Sequence, residues 1–117
     1  KNNDSSNQID ELTNDEIVVK YLKEHGELPE YYITKSEAKS LGWVPSKGNL
    51  CEVAPGRAIG GDIWTNRQKS LPTKSGRRYF EADLNYNCGN RNADRVVFSN
   101  DGLVFVTHDH YRNFEER

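Results

Sequence analysis

Apolar positions are sparse at the start of the chain and dense near its end, and their spacing changes along the way. In NDEIVVKYLKEHGELP, residues 14–29, Ile17, Val18, Tyr21 and Leu22 recur at intervals of three and four, the period of one helix face. Asn14 is suited to accept from the free N–H groups of the first turn, and Asp15 and Glu16 suit the positive end of the helix dipole. Gly26 fits the left-handed residue that closes a helix, and Pro29 prevents continuation. ITKSEAKSLGW predicts a second, shorter helix, with Thr34 and Glu37 forming a capping box and Gly42 ending it. A further helical turn is expected around GNLCEVA, before Pro55–Gly56. Residues 1–13 are polar without a period and read as a flexible tail or linker.

Later in the chain the period shortens to two. RAIGGDIWTN reads as a short, glycine-broken strand. In RRYFEADLNY, Phe80, Ala82 and Leu84 alternate with Tyr79, Glu81, Asp83 and Asn85, giving a core face and a polar face. DRVVFSNDGLVFVTHDHY reads as two strands joined at Asn100-Asp101-Gly102, a strong hairpin signal. Helices first and antiparallel strands afterwards indicate an α+β fold. A chain of 117 residues suits one domain, here placed at residues 14–117.

Composition adds limits. The chain is 34% hydrophobic and 29% charged, and its aromatic and branched residues gather in the second half, unlike a disordered sequence. No apolar run approaches the roughly 18–20 residues that span a bilayer, so no membrane partner is expected. KNNDSSNQIDELTNDE has no hydrophobic centre of the kind a signal peptide needs. A cytosolic protein and a mature form that has lost its leader both fit. Cys51 and Cys88 lie 37 residues apart, a spacing of no zinc or redox motif, and are either one disulfide or two free thiols.

The net charge of −2 conceals an asymmetry. Residues 35–95 carry eleven Lys/Arg against six Asp/Glu, whereas residues 1–34 and 96–117 are net acidic. A basic middle rich in Arg, Asn and Gly suits a phosphate-bearing ligand, and equally describes ordinary surface charge. Within it, Glu81 and Asp83 share the polar strand face, and a hairpin returns Arg91 and Arg95 across them. Such a group can be a structural ion-pair network. Lys35, in the first turn of the second helix, opposes the helix dipole unless it faces an anion. His108 and His110, at the end of the last predicted strand, are two residues apart and would share a face. A carboxylate, a histidine and several cations are also the parts of phosphodiester cleavage: one group takes a proton, one gives it, and the cations hold charge on phosphorus.

These residues resemble the small secreted bacterial ribonucleases of the barnase and binase type. The similarity covers roughly residues 14–117 and rests on YLKEHGELPEYYITKSEAKSLGWVPSKGNL, VAPGRAIGGDIWTNR, LPTKSGRRYFEADLNY, RNADRV and DHY, in order and without insertion. The resemblance implies N-terminal helices packed on a five-stranded antiparallel sheet. It implies endonucleolytic cleavage of single-stranded RNA after guanosine, without metal or other cofactor, through a 2′,3′-cyclic phosphate that is later hydrolysed. By resemblance, Glu81 is the general base and His110 the general acid. Lys35, Arg91 and Arg95 are the cations around the phosphate, Asp83 braces the two arginines, and Tyr111 neighbours the acid. Trp64, Thr65, Asn66 and Arg67 form the guanine-recognition loop. Reference pKa values of about 4.3 for Glu and 6.5 for His leave the base ionised and the acid protonated between them.

Several positions depart from the family. Gln68 stands in place of a glutamate that binds the guanine edge, and accepts a hydrogen bond without charge assistance. Trp64 replaces a phenylalanine, Asn90 an aromatic and Gly102 a tryptophan. Cys51 and Cys88 replace small residues in segments able to approach each other, and a disulfide between them is expected. His108 falls where the family needs no histidine and reads as a strand-end residue, close enough to perturb His110. The resemblance also implies secretion, a monomer, and an acidic inhibitor of the barstar type. The remaining alternatives are the toxic catalytic domain of a larger secreted or contact-delivered protein, a silent RNA- or inhibitor-binding module, and a metal-dependent nuclease using His108 and His110. The last lacks further ligands at readable spacing.

Overall fold

The computed structural model describes residues 5–117, with side chains described from residue 8 onward. Helices α1 (Ser5–Leu12) and α2 (Asp15–His25) come first, followed by the short strand β1 (Tyr32–Ile33) and helix α3 (Lys35–Ser40). A 3-10 turn over Pro45–Lys47 and helix α4 (Leu50–Val53) precede strands β2 (Ala58–Trp64), β3 (Tyr79–Asp83), β4 (Arg95–Ser99), β5 (Val104–Thr107) and β6 (Glu115–Glu116).

Local chemistry sets the helix ends. Asn14 Oδ1 accepts from Ile17 N at 2.9 Å, and Gly26, at φ 74°, closes α2 with its N–H on Leu22 O. Thr34 and Glu37 form the full capping box of α3. Val18 and Leu22 carry α2 into the core, while Ile17, at the edge of the expected apolar stripe, is 42% exposed.

Among the described residues the strands form one six-stranded sheet in the order β1-β2-β3-β4-β5-β6. Strands β2 to β6 are the five antiparallel strands implied by the resemblance. The addition is β1, which pairs in parallel with β2 through Tyr32↔Ala58 and Ile33↔Ile59. Two residues are too short to show a period. A bulge between Gly60 and Asp62 bends β2. Gly60 is required there, because a Cβ would lie 2.6 Å from both Ala82 Cβ and the Tyr32 ring.

Both sheet faces are covered. The larger core packs the helices on one face through Ile9, Val18, Leu22, Trp43, Leu50, Ile59, Leu84, Val96 and Val106. On the other face, Leu71, Tyr79, Val97 and Phe105 form a smaller cluster beneath Trp64, Tyr111 and Phe114. Glu81 and Asp83 alternate with the core residues of β3 and so lie on this second face.

The stretch 1–13 departs from the tail expected of it. Residues 1–4 lie outside the described residues, but 5–12 form α1, and Ile9 and Thr13 are fully buried. Thr13 Oγ1 donates to Ile9 O at 2.7 Å and accepts from Tyr86 N at 3.0 Å. Thr13 O accepts from Asn85 N, and the Tyr31 hydroxyl donates to Leu12 O. One buried isoleucine leaves no period in the sequence, so the docking of α1 had no pattern to reveal it.

Cys51 and Cys88 are joined in a disulfide, as expected, tying α4 to the loop after β3. It closes a loop of 37 residues. Replacing both cysteines with serine is expected to lower the unfolding free energy by about 4 kcal/mol on the chain-entropy model, read from urea denaturation.

At the β4–β5 hairpin, Asp101 accepts from Arg77 Nε at 2.9 Å and from Ser99 Oγ at 2.5 Å. These bonds, that of Arg77 foremost, lower its pKa from 3.8 to about 2. Because the folded value is the lower one, the contribution to stability is complete above about pH 4 and is lost as pH falls through about 2. Asp101→Asn is expected to flatten the acid limb of the stability curve between these values, measured by thermal melts across pH.

Candidate active site

Asp83 anchors the site. It is 1% exposed, and a carboxylate so buried needs cationic partners. Arg91 supplies a two-pronged pair, Nε to Oδ2 at 2.8 Å and Nη2 to Oδ1 at 2.7 Å. Arg95 Nε lies 3.2 Å from Oδ1, and the β3–β4 register sets Asp83 opposite Arg95. Arg95 is itself buried and donates through Nη1 to the carbonyls of Asn92 and Asp94. The hydrogen bond to Asp83 pushes the Arg91 pKa further up. One carboxylate thus holds two guanidinium groups, leaving one positive charge in excess beside Glu81.

Glu81 stands two residues before Asp83 on the same face of β3, with 13% of its side chain exposed. The Tyr111 hydroxyl donates to its Oε1, and Lys35 Nζ lies 3.6 Å from Oε2. Burial first, and the Glu81 carboxylate second, push the Tyr111 pKa well above its ordinary value. Lys35 arrives in the first turn of α3, whose N-terminus is fixed by Lys35 N donating to Asp62 Oδ2 at 3.0 Å. The cation set against the helix dipole therefore faces an anion.

His110 does not end a strand. β5 stops at Thr107, and His110 and Tyr111 adopt left-handed backbones, at φ 55° and 74°. Such conformations cost a non-glycine residue energy and persist where the surroundings hold them. Asp109 provides that hold. Its carboxylate accepts from Asn113 Nδ2, Asn113 N, Thr107 Oγ1 and Arg112 N; these bonds, that of the Asn113 side chain foremost, lower its pKa to about 2. His110 N–H donates to Ala93 O at 3.0 Å. The His110 ring meets the Tyr111 ring edge-on at 4.7 Å. Tyr111 thus touches both Glu81 and His110. The same-face geometry expected of His108 and His110 on a strand does not apply in this turn. His108 is engaged by Asp15 and Asp94.

Beside this constellation lies a cleft of about 660 Å³. Trp64, Thr65, Arg67, Gln68, Ser70, His110, Tyr111 and Arg112 line it. Trp64 stacks on Tyr111 with ring centres 5.7 Å apart, giving the cleft an aromatic wall. Asn66 does not line it. Its amide bridges the loop, donating to Leu71 O at 2.7 Å and accepting from Leu71 N at 3.1 Å. It shapes the loop from within. Ser70 and Arg112 line the cleft without having been singled out from the sequence, although Arg112 directly follows the DHY stretch. Asp62, Asn92 and Asp94 support the site through contacts between distant segments, which no local pattern signals.

A family model described as ribonuclease matches residues 15–117. The chain belongs to this ribonuclease family. It is 58% identical over 97 residues, 83% of its length, to curated proteins named Ribonuclease from Heyndrickxia coagulans, Bacillus intermedius and Bacillus pumilus. That match covers 89% of the first relative and 60% of each of the other two. In this ribonuclease α1 lies ahead of the matched span.

Because Asp83 is the shared partner of two guanidinium groups, its loss leaves them facing each other in a buried place. Asp83→Asn is expected to destabilise the ribonuclease by roughly 3–5 kcal/mol, measured by urea denaturation.

Proposed function

We propose that this ribonuclease is an endonuclease that cuts single-stranded RNA on the 3′ side of guanosine by transesterification. Glu81 removes the proton of the ribose 2′-hydroxyl, and the 2′-oxygen attacks phosphorus. His110 protonates the departing 5′-oxygen, leaving a 2′,3′-cyclic phosphate. Water then hydrolyses the cyclic ester with the two roles reversed. Lys35, Arg91 and Arg95 stabilise the charge that builds on the phosphoryl oxygens. The observation that carries the reading is Tyr111, which contacts the carboxylate and the imidazole together, beside cations held by Asp83. Every group named belongs to the chain, and no step requires a metal ion.

The base would enter the cleft against Trp64. Gln68 accepts from a guanine N–H, and its amide also donates, so discrimination against other bases is weaker than a carboxylate gives. The disulfide supports an oxidising compartment, and the reading includes secretion as a monomer. An acidic protein inhibitor suits the cationic site, since its carboxylates would pair with the groups that hold phosphate.

Glu81→Gln and His110→Ala are each expected to lower kcat/KM by about 10²–10⁴, with melting curves near those of the parent. On defined RNA the parent should yield the cyclic phosphate first, follow a bell-shaped pH profile and stay active in EDTA. A rate independent of pH between 4 and 9, or no cleavage of GpN dinucleotides and bulk RNA, overturns the assignment.

A further inference from the structure

The turn that carries His110 is fastened twice to the segment that leads into β4. One fastening is the bond from His110 N–H to Ala93 O. The other is His108, to which the cleavage mechanism gives no task. Its Nδ1 lies 3.0 Å from Asp94 Oδ1 and its Nε2 lies 3.0 Å from Asp15 Oδ2. Asn85 Nδ2 donates to both carboxylates, at 3.2 Å to Asp15 and 3.0 Å to Asp94, and so sets their spacing around the ring.

A neutral imidazole has one donor nitrogen and one acceptor nitrogen. Here both nitrogens meet carboxylate oxygens, so only the imidazolium satisfies both contacts. Removing a proton sets a lone pair against one of the carboxylates. We propose that His108 is a positioning residue whose protonated ring clasps Asp94 and Asp15, and so holds the His110 turn against the segment bearing Arg91 and Arg95. The inference rests on the reading of His110 as proton donor.

The charged groups around the ring come from three elements. Asp15 belongs to α2, Asp94 to the loop before β4, and Arg117 at the C-terminus lies 3.5 Å from Asp15 Oδ2 while also pairing with Glu115. Within the turn, the Asp109 carboxylate is occupied by Thr107, Arg112 and Asn113. The Asp94 hydrogen bond, ahead of the other contributions, raises the His108 pKa above 6.5. The clasp is therefore complete below the ordinary imidazole value and is lost as pH rises through the raised one. Cleavage then depends on two protonated histidines, one that donates and one that positions.

The test is the pH profile of GpN cleavage by the parent, His108→Gln and Asp94→Asn, with NMR titration of the histidine rings and thermal melts alongside. The parent's alkaline limb is expected to fall more steeply than one proton allows, with an extra loss of roughly three- to tenfold as His108 gives up its proton. In His108→Gln the limb should fall with one, and kcat at about pH 5.5 should drop roughly three- to tenfold with little change in KM. In Asp94→Asn the steeper fall should move to lower pH, together with the His108 titration. A one-proton limb in the parent overturns the inference. So does a uniform loss at every pH in the variants, the mark of a merely structural role. If His108→Gln does not fold, Asp94→Asn and the parent's His108 titration decide, and a His108 value at or below 6.5 overturns the clasp. Failure of the parent to cleave strikes the proposed function instead, and the ring titrations still read the clasp.

Discussion

A carboxylate taken out of water must find compensation, and in this ribonuclease Asp83 finds it in Arg91 and Arg95. Much of the site follows from that constraint. The β3–β4 register delivers Arg95 without help, because the two residues are cross-strand partners. Arg91 comes from the loop between the strands, and that loop is held by other means. The disulfide ties Cys88 to α4, Asn92 donates to the carbonyls of Leu84 and Asn85, and the Tyr86 hydroxyl bonds to Gly89 O. The two guanidinium groups are thereby fixed in place, and on the proposed mechanism this supplies the preorganisation that electrostatic catalysis requires.

The two faces of the sheet divide the work. One takes the helices and most of the buried apolar surface. The other carries the polar side chains of β3 and is roofed by Trp64, Tyr111 and Phe114. The roof is built from the β2 end and from the turn after β5, so the aromatic wall of the cleft is also the lid of the smaller core. On the proposed function, stability and substrate binding share these rings. Tyr111 does most in this respect, stacking on Trp64, meeting His110 at its edge and donating to Glu81.

How much of this was readable in advance depended on the range of the interaction. Asn14, the Thr34–Glu37 box and the Asn100-Asp101-Gly102 turn act over three or four residues, and each appears in the structure as the sequence implied. The alternation around Glu81 and Asp83 located the polar face for the same reason. The grouping of Lys35, Glu81, Arg91, Arg95 and His110 needed the family resemblance, because it joins four separate segments. What escaped both readings is non-periodic or long in range: Ile9 in the core, the two-residue β1, Asn66 turned into its loop. The left-handed turn at His110 escaped because the apolar run ends at Val106, and nothing in DHY announces positive φ.

The docking of α1 bears on where this domain begins. The family match starts at residue 15, and a boundary drawn there looks natural. It would cut between Asn14 and the helix it caps, and empty the place of Ile9 in the main core. The backbone N–H groups of Asn85 and Tyr86 would lose the acceptors that Thr13 gives them. These are the residues from which the Arg91 loop departs. A chain trimmed to its recognisable homology would keep every residue assigned to RNA cleavage and lose the ground on which their loop stands.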